Sequence, residues 1–266
     1  MEPALEEIEF LALSSNRVEV LRLLAAGRHT RGELASATGA SQPTLGRILS
    51  DFEERAWITP DGDEYVATAT GRLVARGFTD LLEILETERE LRGIVRWLPT
   101  HAMDFDLRRL SDATITVPSG TRPNAPVQRL LDLLEDATDV RAFSHAFNEQ
   151  SLRVIRRRAA GGEVTFRGVF SRSAIDALAG DARLRRRLVT LLEAEGVAIR
   201  VREEGIPLAV TIVDDVAYLL LRDEKGVLQA AVDSDDPAVR SWANDTYDHY
   251  WHTATPLDAA AVPPEE

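Results

Sequence analysis

Apolar residues recur at intervals that outline the first half of the chain. Ile8, Leu11, Val18, Leu21 and Leu24 fall at helical spacing and predict one helix over 8–24. Thr30 and Glu33 have the spacing of a capping box, so a second helix starts at Arg31. It turns Leu34 and Ala35 inward and stops at Gly39, a residue suited to the left-handed conformation that closes helices. Ser41 is the N-cap of a third helix that tolerates Pro43 in its first turn. Leu45, Ile48, Leu49 and Phe52 form its buried stripe. Trp57 and Ile58 open a strand, Asp61-Gly62 is a turn, and Tyr65 and Val66 return. From residue 70 the pattern predicts one long helix to residue 98. Leu81, Ile84, Leu91, Val95 and Leu98 form a seam at spacings of three and four, interrupted by Glu88. Such a helix would span about 43 Å at 1.5 Å per residue.

Beyond residue 110 helical and strand periods alternate. Strands are predicted over 113–117, 140–145, 164–171 and 197–202, and helices over 124–135, 149–160 and 173–195. Three hairpin-like strands follow over 209–213, 216–221 and 227–231. A last helix starts near Pro237 and carries Trp242, Tyr247, Tyr250 and Trp251. Alternation of this kind predicts a mainly parallel sheet with an antiparallel edge.

The exposed face of the third helix gives the first half a chemical direction. It bears Gln42, Thr44, Arg47 and Ser50 next to the Ser41 cap, and Arg47 is the sole cation from Ser41 to Glu54. Arginine can bond guanine bidentately and glutamine can do so with adenine. Helix, turn, helix and two-stranded wing together form the layout of a winged helix-turn-helix, which sets one helix into the DNA major groove. The run ASQPTLGRILSDFEERAWI resembles the recognition helix and wing start of ArsR- and MarR-type regulators. That resemblance implies contact with double-stranded DNA through Ser41, Gln42, Thr44, Arg47 and Ser50. The seam residues Leu81, Ile84, Leu91, Val95 and Leu98 are then candidates for dimerisation, in keeping with a palindromic operator.

Charge complicates this picture. The 266-residue chain carries 31 Lys and Arg against 44 Asp and Glu, a net charge of -13. Residues 1–70 hold twelve acidic side chains and six arginines. A basic surface is the usual footprint of a DNA binder. Lys225 is the one lysine, and such lysine-poor acidity resembles haloarchaeal proteins. In brine, screening contracts to a few Å, so base-edge contacts and shape carry more of the binding. With no cysteine there is no disulfide, thiolate metal site or cysteine nucleophile. The acidic N-terminus is unlike a signal peptide and no apolar run approaches a membrane span, which predicts a soluble, cytoplasmic protein.

The second half resembles the effector domain of haloarchaeal and methanogen winged-helix regulators, typified by a methanogenesis regulator, and more distantly TrmB regulators. The likeness rests on the threonine-rich first strand, Ala125-Pro126-Val127 at a helix start, the Asp214-Asp215 turn and the Trp242 to Trp251 helix. It implies a phospholipase-D-like fold. The catalytic signature of that superfamily is His-x-Lys-x4-Asp. Anchored on Asp214, its His and Lys positions are Pro207 and Ala209, neither able to act as nucleophile or phosphate clamp.

Ligands collect at the carboxyl ends of parallel strands, which makes His145, Asn148, Ser171 and Arg172 the candidate ligand-binding set. His249 and His252, with Asp245 a turn earlier, have metal-ligand spacing but read better as an aromatic-polar helix face. The arginine clusters 156–158 and 183–187 read as solvated helix faces, with an anionic ligand as the alternative. The sequence predicts a winged helix over 1–69, a linker and dimerisation helix over 70–98, a mixed-sheet α/β effector domain over 110–255, and a disordered tail over 256–266. It predicts no cofactor, no metal, no membrane contact and no catalytic residue. The expected activity is that of a homodimeric DNA-binding regulator with a small-molecule or partner effector. The alternatives are a nuclease- or phosphodiesterase-like enzyme tethered by a winged helix, or a protein-binding adaptor.

Overall fold

A computed structural model describes residues 1–262, and the chain divides into two compact units, Met1–Glu86 and Thr87–Glu266. In the first unit, α1 (Glu2–Ala12) and α2 (Ser15–Ala26) replace the single helix predicted over 8–24. The break is chemical: Ser14 takes an extended conformation and its side chain caps the Arg17 amide. Ile8 is consequently exposed, whereas Leu11, Leu21 and Leu24 are buried. After β1 (His29–Thr30), α3 (Arg31–Thr38) starts with the predicted capping box and ends on Gly39 at φ 69°. α4 (Gln42–Glu54) is capped by Ser41 and buries Leu45, Ile48, Leu49 and Phe52. β2 (Ile58–Asp61) and β3 (Glu64–Ala67) form the wing, and β1 joins them in an antiparallel sheet of order β1-β3-β2. Phe10, Phe52 and Trp57 pack edge-on and tilted within this core, with Arg55 stacked on Phe10.

The long helix is shorter than its seam predicts. α5 covers Ala69–Leu91, after which the chain breaks into 3-10 turns at Val95–Trp97, Thr100–Ala102 and Leu107–Leu110. Glycine at 93 and proline at 99 disfavour continuation of the helix. Leu91 (4% exposed) and Leu98 (5%) pack into the core of the second unit, which removes them from the predicted dimerisation set. Ile84 (38%) and Val95 (40%) remain exposed and Leu81 is half-buried.

The second unit is an eight-stranded sheet. Its elements are β4 (Thr114–Thr116), α6 (Ala125–Glu135), β5 (Asp139–Ser144), α7 (Glu149–Ala160), β6 (Thr165–Ser171), α8 (Arg172–Ala179), α9 (Ala182–Leu192), β7 (Val197–Arg202), β8 (Ala209–Val213), β9 (Val216–Arg222), β10 (Leu228–Ser234), α10 (Pro237–Thr253) and β11 (Thr255–Pro256). Gly180 and Asp181 split the helix predicted over 173–195, with Asp181 capping α9.

The strand order is β11-β7-β6-β5-β8-β9-β10-β4. Only β5, β6 and β7 run parallel; every other pairing is antiparallel, so the predicted mainly parallel sheet is corrected to a mixed, mostly antiparallel one. The cause is connection length. A parallel pair needs a crossover of a dozen or more residues, and β8 and β9 are joined by Asp214 and Asp215 alone. Alternation along the strands gives the sheet two apolar faces. Val140, Ala142, Phe166, Val213 and Tyr218 meet α6 to α9, whereas Phe143, Val169, Ile212 and Leu219 meet α10 and the segment from Leu91 to Leu110.

Part of the predicted disordered tail is placed in this unit: Pro256 pairs with Arg200, and Leu257 and Val262 are buried in the core under α9. Residues 263–266 of that tail lie outside the described residues. No described helix is long and apolar enough to cross a membrane.

Candidate nucleic-acid interface and effector pocket

α4 places its side chains by rotation. Residues advance about 100° each around a helix, so with Leu45, Ile48, Leu49 and Phe52 buried, Arg47 and Ser50 point directly away from the core. Gln42 and Thr44 flank that line, and all of these side chains are exposed. The Ser41 hydroxyl accepts from the Thr44 amide and bonds the Thr44 hydroxyl at 2.8 Å. These two residues therefore fix the helix start as well as lining the surface. Arg47 makes no ion pair or hydrogen bond among the described residues.

A second cation reaches this surface from α3. Arg31 donates through Nη2 to the Gln42 carbonyl at 2.8 Å. A Cβ at Gly46 would come within 2.6 Å of the same nitrogen. Sequence reasoning missed Arg31. The available signal was Gly46 itself, because an interior glycine costs a helix about 1 kcal/mol relative to alanine and marks a close approach. The wing, in contrast, is acidic. Asp61, Asp63 and Glu64 surround its turn, and Arg28 offsets Asp61 at 2.5 Å. On α4 itself, Asp51 is bridged by Arg17 at 3.4 Å. Positive character is thus confined to the first two turns of α4, where the helix dipole adds to it.

In the second unit the predicted ligand-binding set divides. Ser171 is buried and caps α8 through the Ala174 amide, and Arg172 is held by Glu203 at 2.6 Å. Neither lines the cavity to which Asn148 belongs. Asn148 caps α7 by accepting from the Gln150 and Ser151 amides, and it stands at the rim of a cavity of about 70 Å³ between the sheet and helices α6 and α7. His145 follows β5 at the same edge of the sheet. Burial and the nearby Arg222 charge hold its imidazole below the usual histidine range.

Arg222 itself lines the cavity and was missed. It lies 77 positions beyond His145, at the end of β9, which pairs antiparallel with β8 and so reaches the same edge of the sheet as the carboxyl end of β5. No local spacing connects the two. Its Nη1 donates to the Gly226 carbonyl at 2.8 Å, while its buried Nε and the buried Nδ1 of His145 have no partner. Apolar walls come from Leu130, Leu134, Leu152, Ile155, Phe166 and Phe170.

Other candidates resolve into structural roles. Arg153, Arg183 and Arg187 converge on Glu149, and Arg157 pairs with Glu135. His252 Nδ1 is engaged by the Asp248 carbonyl. Ala209 and Asp214 lie at opposite ends of β8, so those two signature positions do not converge. Asp214 sits at φ 48°, and its carboxylate accepts from the Thr138 amide and hydroxyl and from the Asp139 amide at 2.8–3.0 Å. Burial pushes its carboxyl up, but these donors outweigh that effect and leave it below the usual carboxylate range.

Residues 123–253 match the family described as methanogenesis regulatory protein FilR1, middle domain, and residues 5–90 match the HVO_A0261 N-terminal domain. No curated protein matches the chain. Among solved structures, the chain is similar to TrmBL2, an archaeal chromatin protein with a novel mode of DNA binding. The identity is 16%, with 94% of this chain and 98% of that one covered at a TM-score of 0.44. It is also similar to Nuc, a phospholipase D family member from Salmonella typhimurium, at 14% identity, covering 55% and 99%, with a TM-score of 0.44.

Proposed function

We propose that this chain, with its FilR1-type middle domain, is a DNA-binding transcriptional regulator whose α4 reads the major groove. The observation that carries the reading is the outward line of Arg47 and Ser50 on α4, with Arg47 unpaired. Arg31 adds a second cation beside it. The acidic wing disfavours a second contact to phosphates, so affinity rests on the first turns of α4. The α/β unit acts as a non-catalytic sensor. Pro207, Ala209 and the fully engaged Asp214 support that role, because they leave no nucleophile at the signature positions.

Arg47→Ala tests the reading. Affinity for the chain's own promoter fragment, followed by fluorescence anisotropy in high salt, should fall by about 30-fold, the equivalent of about 2 kcal/mol. Unchanged affinity would overturn the assignment of α4.

The protein acts in the cytoplasm as a homodimer. Support for the dimer comes from the first unit, where Leu82, Ile84 and Leu85 are exposed on α5 and Leu5 and Ile8 on α1. An apolar groove of about 560 Å³, lined by Ile8, Trp57, Val74, Phe78 and Leu81, runs beside them. A second copy covering this face would set the spacing of two recognition helices. Ile84→Glu should convert the dimer to a monomer in sedimentation analysis, and a dimer that persists would move the interface elsewhere.

A further inference from the structure

The cavity beside Arg222 carries more than a place for an effector; its lining specifies a chemical class. Six large apolar side chains, Leu130, Leu134, Leu152, Ile155, Phe166 and Phe170, are part of its lining. The polar groups of the lining are mostly committed. The Ser144 hydroxyl bonds the Ala146 carbonyl at 2.7 Å, and the Asn148 carbonyl oxygen caps α7. Arg222 is committed through Nη1 alone, to the Gly226 carbonyl. It forms no ion pair with a carboxylate among the described residues, although its neighbour Asp223 is acidic. The Asp223 carboxylate is taken by the Lys225 and Val227 amides and the Gln229 side chain. The buried Nε of Arg222 is left with a proton and no acceptor. A buried unmet donor is destabilising, and a ligand oxygen would remove that cost.

We infer that the cavity binds a small monocarboxylate with a short apolar tail, its carboxylate on Arg222 and its tail among the leucine and phenylalanine side chains. This rests on the sensor role proposed above. A single guanidinium suits one negative charge. A phosphate would bring more charge and further oxygens into walls that hold no other cation. An amine would face Arg222 with like charge. The volume sets the tail length. A dry cavity of about 150 Å³ accepts the six carbons of benzene, so about 70 Å³ suits a tail of roughly two to four carbons with the carboxylate outside it on Arg222.

Isothermal titration of the full chain with butyrate and 3-methylbutyrate tests the assignment, with 3-methylbutan-1-ol as the uncharged control. Saturable binding of an acid is expected, about 5- to 10-fold tighter than the alcohol, because a charge-assisted pair is about twice as strong as a neutral one. Arg222→Leu should remove that preference. Ala142→Val, which narrows the cavity and keeps the arginine, should weaken both ligands together. Equal binding of acid and alcohol, an unaltered preference in Arg222→Leu, or no acid binding up to about 10 mM would overturn the ligand class. Promoter affinity measured with and without acid separates this from the sensor role. Acid binding that leaves DNA affinity unchanged removes the sensor role and keeps the ligand class. DNA binding without any acid binding does the reverse.

Discussion

The two units present their polar groups in opposite ways. The winged helix puts Gln42, Thr44, Arg47 and Ser50 on the outside of one helix, and every one of them lies within nine residues. The α/β unit gathers Asn148, Thr211 and Arg222 around an interior cavity from the start of a helix and two strands. In an acidic chain the surface arginines of the second unit are largely neutralised by ion pairs, three of them on Glu149 alone. Arg47 and Arg222 escape this pairing for different reasons. Arg47 lies on a turn of helix with no acid before Asp51, and Arg222 lines a cavity while its neighbouring carboxylate is bound elsewhere. Unpaired cations in such a protein are therefore the places to look for ligands.

Because the units are compact by themselves, each can be broken separately. The largest effect should come from Gly71→Ala in the first. A Cβ there runs into the Trp57 carbonyl, which also accepts from the Thr68 amide at 2.8 Å, so the backbone would have to move. A loss of about 3 kcal/mol or more is expected, seen calorimetrically as a lowered transition for the winged helix alone. Arg129→Met is the counterpart in the second unit. Arg129 bonds Asp233 at 2.6 Å, and Asp233 is only 4% exposed. Stranding that carboxylate should cost about 3 kcal/mol and lower the other transition. If either substitution lowers both transitions equally, the units do not unfold separately.

The smallest effect sharpens the comparison through pH. The Asp214 carboxyl is held below the usual range. Its stabilisation is complete above about pH 4, the ordinary aspartate value, and is lost as pH falls through its lower folded value. Asp214→Asn keeps a side chain that tolerates positive φ and still offers an acceptor to Thr138. It should cost about 1 kcal/mol at neutral pH. The acid limb of the second transition should flatten while the first is unaltered. An unchanged acid limb would show that other carboxylates control it.

The winged helix was legible because its signals are local. Thr30 and Glu33, Gly39, Ser41 and the Asp61-Gly62 turn each act within four residues, and each element they predict is present. One local signal, Ser14 as a cap, was overlooked inside an apolar period, and the first helix was predicted too long. In the second half, strand positions were legible from alternation, and α7, β7 and β8 have the predicted limits. Strand order was not: no local signal placed β8 beside β5 or β4 beside β10.

Sequence by itself thus determined where the chain is helical or extended, where α4 begins, and which of its side chains face outward. Those follow from steric and hydrogen-bonding preferences a few residues long. Tertiary structure alone decided that β8 lies antiparallel beside β5 with β9 turning back along it, which brings Arg222 to His145, and that Leu91 and Leu98 belong to a core rather than a seam. Both outcomes depend on which surfaces far apart in the chain bury one another, and no short-range preference encodes that choice.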